Sequence, residues 1–419
     1  MKVLWFSNAL LTLEPSKATG TWLFAMSEAL VERGVELYNI TQDPRVHNIK
    51  KQVVGKITQW VLPVYKLHNG LPSKNNINKI CDIVKIINPD IIHIWGMESY
   101  WGLLSARGFL KGKILLEIQG IKETCVRVFY GGLKWRDLIH TLGVKELILP
   151  SSSLFCQRKE FDVWSKWEHE MISAHNNIST HSDWVRAWIR QFSTEQCHIH
   201  HTQRIVRKTF LEAEVWQKPN NPKDAPVVFA MSSGPDAYKG IHDGIRAISL
   251  LKRDYPNIQF RIAGNFGINN AFYRKPGYTK YLVRLIKNLN VESNVIFLGP
   301  LTANEILEQL HQSDAMLQTS YVESYSLAVA EAMMAGIPLV VSYAGAMPEL
   351  AQDKETALFY TPSDYFSCAY SLRKIFESDD LSLKLSKTAR CIAESRNVAS
   401  IVGDLQIDIY EKVIKGNNN

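Results

Sequence analysis

No G-x-G-x-x-G fingerprint and no G-x-x-x-x-G-K-[ST] loop occurs anywhere in the 419 residues, which sets aside hydride-transfer enzymes and P-loop nucleotidases. There is no D-x-D pair either. A carboxylate-held Mg²⁺ or Mn²⁺ of the kind that neutralises a diphosphate is therefore not expected, and any diphosphate must be met by the protein itself. The six cysteines, at 81, 125, 156, 197, 368 and 391, form no C-x-x-C pair, which argues against a zinc finger or a redox motif. Reduced thiols in a cytoplasmic protein are the reading that remains. Long apolar runs are also missing. The longest, residues 327–347, is interrupted by Glu331, Gly336 and Pro338 and reads as buried helix, turn and strand rather than a membrane span. Residues 1–13 are cut short by Glu14-Pro15 with no small-residue cleavage site, so they read as a first strand, not a secretory signal.

With 46% hydrophobic and 21% charged residues the chain is ordinary globular material, and its length predicts two or three domains at ~100–200 residues each. Charge is uneven. Residues 1–222 hold 28 Lys and Arg against 20 Asp and Glu, whereas residues 223–419 hold 20 against 21. The basic half could attract an anionic membrane, a phosphorylated acceptor or nucleic acid, or could simply be a solvated basic surface.

Apolar runs alternate with helical periodicity from the start: strand 3–6, helix 22–32 and strand 35–40, then helix 80–87, strand 90–95 and a doubly buried strand 114–118. Residues 217–226 carry three prolines and no aliphatic core residue, as an interdomain linker would. Alternation then restarts at 227–231. The expected fold is α/β, two tandem Rossmann-like doubly wound domains facing a cleft. The expected boundaries are 1–218 for the first domain, 219–226 for the linker and 227–397 for the second, with 398–419 as a helix packing back on the first domain and a disordered tail.

Two segments carry chemistry. Residues 321–338 place Glu323 and Glu331 eight positions apart around a helix start that Gly336 closes. Backbone amides of Ser324, Tyr325, Ser326 and Leu327 would point from the sheet edge, where the helix dipole favours an anion. Eight helical residues span ~12 Å, so the glutamates could bond hydroxyls on either side of a phosphate. Equally, Glu331 could be a satisfied buried carboxylate and Glu323 a helix-stabilising charge. Lys239-Gly240, at a strand-to-helix junction, sits where parallel sheets bind ligands. His169 and His175, six apart, cannot share a helix face, whereas His198 and His200 share a strand face as metal ligands might or as an exposed strand would.

The ordered set Lys239-Gly240, Ala263-Gly264, residues 295–299 and Glu323-x7-Glu331 followed by Ala-Met-x-Ala-Gly-Ile-Pro resembles glycosyltransferase family 4, over residues 225–361. Residues 88–96, 115–120 and 178–186 are similar to the family's acceptor lobe. The resemblance implies a retaining, metal-independent GT-B hexosyltransferase in polysaccharide biosynthesis, of the bacterial surface-polysaccharide type. It would take a nucleotide-diphosphate-sugar donor and a glycan or lipid-diphosphate-linked acceptor, with no cofactor and no nucleic-acid partner. It puts Glu331 on the ribose, Glu323 on the donor sugar, and Lys239 with the Ser324–Leu327 amides on the diphosphate. Thr19-Gly20 would meet the phosphate from the other lobe, Gly299-Pro300-Leu301 would flank the base, and Gln119 stands where many members have a histidine. Glu323, Lys239 and Gln119 would be the catalytic set. A second phosphate-binding arginine is absent from residues 231–237. That absence and Gln119 favour the alternative, an inactive homologue acting as a scaffold in a polysaccharide assembly complex; both glutamates and Lys239 favour the enzyme. Residues 101–137 interleave seven Lys and Arg with Phe129, Tyr130 and Trp135, which suits either a peripheral contact with the inner face of the cytoplasmic membrane or an acceptor-lobe loop facing water.

Overall fold

A computed structural model describes residues 1–13 and 22–416, so Thr19, Gly20 and the tail from 417 lie outside the described residues. The chain forms two compact units, Met1–Lys122 with Val163–Arg207 and Arg396–Asn419, and Glu123–Asp162 with Lys208–Ser395.

The first unit is built on eight strands: β1 Lys2–Phe6, β2 Glu36–Gln42, β3 Lys50–Val54, β4 Ile57–Leu62, β5 Ile91–Trp95, β6 Ile114–Glu117, β7 Asn177–Thr180 and β8 His198–His201. Their order is β3-β4-β2-β1-β5-β6-β7-β8, and every neighbouring pair is parallel except the β3–β4 hairpin. Central β1 pairs Val3 with Leu37 on one side and with Ile91 on the other, and Val3 to Phe6 are wholly buried. Alternation splits that strand between two faces. Leu4 and Phe6 join a core with Ile92, Ile94 and Leu116, while the Trp5 indole donates to the Tyr410 hydroxyl at 3.0 Å. Tyr410 lies on the helix Ala399–Lys415 and also bonds His93 Nδ1 at 2.8 Å, tying the last helix to this sheet.

The second unit has six strands: β9 Val227–Met231, β10 Gln259–Ala263, β11 Val295–Gly299, β12 Ala315–Gln318, β13 Leu339–Ser342 and β14 Leu358–Tyr360. All are parallel in the order β11-β10-β9-β12-β13-β14. Short apolar runs such as Val227 to Ala230 are buried on both faces, as helix-covered parallel strands must be.

The units differ from the expected division: the second unit takes in residues 123–162 and begins again at Lys208, ahead of the expected linker at 219–226, and the first resumes at Arg396. Residues 123–162 belong to the second unit, because Phe129, Leu133 and Leu154 are buried in its core with Ala237, Ile241 and Tyr278. A buried histidine holds the segment there. With Nε2 donating to the Gly131 carbonyl at 2.8 Å, His242 is left to accept from the Tyr278 hydroxyl through Nδ1 at 2.6 Å. This correction also divides the basic stretch 101–137 between the two units. Phe129 is buried, and Arg107 is bound by both oxygens of Glu170.

Candidate functional site

In a doubly wound sheet the ligand crevice lies at the carboxyl ends of the strands where the winding reverses. In the second unit that point falls between β9 and β12. After β9 the chain makes a short turn, Ala237–Lys239, and Gly240, with φ +69°, opens the helix Ile241–Leu251. After β12 it runs through residues 319–326 before the helix Leu327–Ala335.

These two loops are stitched together. The Thr319 hydroxyl donates to the Lys239 carbonyl at 2.6 Å, and the Tyr321 amide donates to the Tyr238 carbonyl at 2.8 Å. Close approach requires the glycine: a Cβ on Gly240 would lie 2.0 Å from the Thr319 carbonyl oxygen. Tyr321 is anchored from behind by its hydroxyl, 2.6 Å from the buried Asp243 carboxylate, which also accepts from the Ser363 amide.

The stitching brings Lys239 Nζ to 2.8 Å from Glu323 Oε1. Gln318 Nε2 and the Ser320 hydroxyl donate to the same oxygen, at 2.9 and 2.7 Å. Three donors thus fix one oxygen of Glu323. Burial pulls the Lys239 ammonium down, but the Glu323 charge and hydrogen bond outweigh it and hold the group above its ordinary range. The neighbouring Asp236 is raised by burial, against the pull of Lys239.

Ser326 caps the following helix, its hydroxyl accepting from the Val329 amide, and Gly336 closes it in the left-handed region. The positive end of the helix dipole therefore stands at Leu327, beside Ser324, Tyr325 and Ser326. Glu331 is on the helix and 2% exposed. The spacing estimate needs correction, because residues 323–326 are loop, so the two glutamates are not separated by eight helical residues. Gly299 ends β11, two strands away, with Pro300 and Leu301 following it, and a Cβ on Gly299 would meet nothing within 4 Å. Thr19 and Gly20 lie outside the described residues.

In the first unit the winding reverses between β1 and β5, and the loop after β5 brings up a residue that sequence reasoning passed over. A Cβ on Gly96, with φ +94°, would sit 2.0 Å from Glu98 Oε2, and one on Gly120 would sit 3.0 Å from Oε1. Gln119 thus precedes a glycine that makes room for Glu98. Burial raises the Glu98 carboxyl, against its own backbone amide and the Lys122 charge, and its Oε2 is without a hydrogen-bond partner among the described residues. The two glycines at 96 and 120 were the available signal.

Three of the histidines singled out in the sequence have neighbours of their own, and His198 is exposed on β8. His175 bonds Ser105 and the Met171 carbonyl, His169 stacks on Phe192, and His200 bonds Asn177 at 3.0 Å.

Residues 212–391 match the family described as glycosyl transferases group 1, a span that falls within the second unit. Glycogen synthase from Mycobacterium tuberculosis is 27% identical over 186 residues, 44% of this chain and 42% of its own length. The chain spans less than half the length of the curated relatives it matches. Sucrose-phosphate synthase from Thermosynechococcus elongatus is similar over 99% of each chain, with a TM-score of 0.72 at 15% identity. An Anabaena protein solved in complex with UDP and glucose is similar over 98% of this chain and 100% of its own, with a TM-score of 0.66 at 14% identity. The two parallel-dominated sheets and these likenesses give the chain the GT-B glycosyltransferase fold, with the group 1 sequence family matched in its second unit.

Proposed function

We propose that this protein is a retaining, metal-independent glycosyltransferase that moves a hexosyl group from a nucleotide-diphosphate sugar to a glycan or lipid-diphosphate acceptor. The carrying observation is the Lys239–Glu323 pair at the switch point of the second sheet, beside the start of the helix Leu327–Ala335. Negative charge develops on the departing diphosphate, and a preorganised cation and helix dipole stabilise it most where they need not reorganise. Lys239 and the Ser324–Leu327 backbone take that task, in place of a metal. With Oε1 already held by three donors, Glu323 offers Oε2 to a hydroxyl of the donor sugar. Glu331 accepts from the ribose, and Gly299-Pro300-Leu301 flank the base. Gln119 bonds a hydroxyl of the acceptor.

The UDP and glucose of the Anabaena complex support a nucleotide-sugar donor, and the name of the glycogen synthase relative supports a glycan acceptor. A polysaccharide pathway at the inner face of the cytoplasmic membrane would suit the lipid-linked form of that acceptor. The test is a thermal-shift screen against UDP, GDP, ADP and TDP with EDTA present. A nucleotide at 100 times its dissociation constant adds ~2.7 kcal/mol of stability, so one of the four should raise the melting temperature clearly. No response to any of them would overturn the donor site.

A further inference from the structure

The helix Val144–Ile148 is inside out. Its one acid, Glu146, is 4% exposed and accepts from Lys280 Nζ at 2.5 Å, with both side chains buried. Gly143 makes the approach possible, since a Cβ there would lie 2.9 Å from that ammonium. A buried ion pair costs desolvation on both partners and tolerates little misalignment, so it fixes the helix rotation. Fixed this way, the helix turns its apolar residues out: Leu147 and Ile148 are each 78% exposed and Val144 more than half exposed, as are Leu149 just after it and Ile139 at the end of the preceding helix Trp135–Ile139. Clusters of this kind are rarely left bare on a soluble protein.

The surroundings are aromatic and cationic. The helix packs beside the turn Phe272–Arg274, whose Phe272 and Tyr273 are exposed. Arg284 donates to the His140 carbonyl at 2.7 Å and holds its guanidinium 5.5 Å from the Phe272 ring, which joins the two segments into one surface. Lys134, Arg136 and Arg274 are exposed at its margin, as is Trp135. The acids of the same segment are turned away: Glu146 is buried, and Asp137 is half-buried, accepting from the Lys134 amide and lying 4.0 Å from Arg246.

We propose that residues 135–149, with Phe272 and Tyr273, form the docking surface for an anionic lipid bilayer. Exposed aliphatics would enter the acyl boundary, Trp135 would sit at headgroup depth, and the cations would meet lipid phosphates. Charge complementarity selects this occupant over a second copy of the chain, whose equally cationic margin would repel it. Among the described residues no helix is long and apolar enough to cross a membrane. The surface deepens the reading above by giving a lipid-linked acceptor a place to be met, but its own evidence is independent of the donor site.

The test sediments the full chain with vesicles of phosphatidylcholine alone or mixed with phosphatidylglycerol, at low and high salt. The protein should pellet with the anionic vesicles at low salt and be released at high salt. The double variant Leu147→Asn/Ile148→Asn should lose the pelleting while keeping its melting temperature and its nucleotide response. Equal recovery with neutral and anionic vesicles, or pelleting of the double variant like the parent, would overturn the proposal. So would a dimer in light scattering that the double variant dissolves. The nucleotide response in the same samples is read separately, so a failed vesicle result leaves the donor-site reading standing, and a failed nucleotide screen leaves this one.

Discussion

Lys239 and Glu323 lie 84 positions apart in sequence and meet at 2.8 Å because their loops leave two adjacent parallel strands at the point where the winding of the sheet reverses. The Lys239 side chain keeps 23% of its surface exposed and that of Glu323 10%. A diphosphate would compete with the carboxylate for the ammonium, and a sugar hydroxyl would take the carboxylate oxygen left over.

Gln318 is a positioning residue in that arrangement. It is buried and donates to Glu323 Oε1 at 2.9 Å. Gln318→Leu should lower turnover by ~10-fold, the worth of about one hydrogen bond to a charged group, while calorimetric nucleotide affinity stays as in the parent. Equal losses in turnover and nucleotide affinity would make Gln318 a merely structural residue.

Gly240 and Gly299 give a paired test of the stitched loops. Both have positive φ, but only at Gly240 would a Cβ meet the backbone, 2.0 Å from the Thr319 oxygen. Gly299→Ala should cost about 1 kcal/mol in chemical denaturation, from backbone conformation alone. Gly240→Ala should cost clearly more and weaken nucleotide binding. Equal costs would mean that the two loops are not held in contact.

The attachment of residues 123–162 should respond to acid. Burial lowers His242 to about 4, against the pull of Asp243, from an ordinary value of 6.5. Between those values the unfolded chain binds the proton that the folded chain refuses, so this histidine's contribution is fully present above pH 6.5 and is lost as pH falls toward 4. The loss amounts to about 3 kcal/mol at most. The melting temperature of His242→Gln should therefore fall less steeply over that window than that of the parent, and parallel curves would contradict the assignment.

Transfer should survive EDTA, since diphosphate charge is assigned to Lys239 and a helix end. Product formation followed by mass spectrometry with and without chelator checks this. A loss restored by Mn²⁺ would require a metal in the mechanism.

Much of this was legible in the chain because strands such as 227–231 and 339–342 are short apolar runs set between helical periodicities, a pattern that parallel sheets impose. The β3–β4 hairpin was not, because Lys50–Val54 is mostly polar and exposed and has no apolar run to announce it. Nor was the home of residues 123–162. Nothing local tells which core Phe129 and Leu133 join, and the deciding contact, His242 with Gly131, joins residues 111 positions apart. Glu98 was missed for a similar reason, since its setting depends on Gly96 and Gly120 folding around it. Lys239 and Gly336 stand out in the sequence because each sits at an element boundary, where backbone geometry dictates residue type, and Glu323 stands out through its spacing from Glu331.

The division of labour at the donor site is tested most directly by calorimetric titration of the responding nucleoside diphosphate into the parent, Lys239→Ala, Glu331→Gln and Glu323→Gln. Lys239→Ala should weaken binding by ~1.5–3 kcal/mol, the range for a charge-assisted hydrogen bond, and Glu331→Gln should weaken it through the ribose. Glu323→Gln should leave free nucleotide binding intact and lower sugar transfer instead. Unchanged affinity in Lys239→Ala, or one common effect in all three variants, would contradict the assignment of the diphosphate to Lys239 and of the sugar to Glu323.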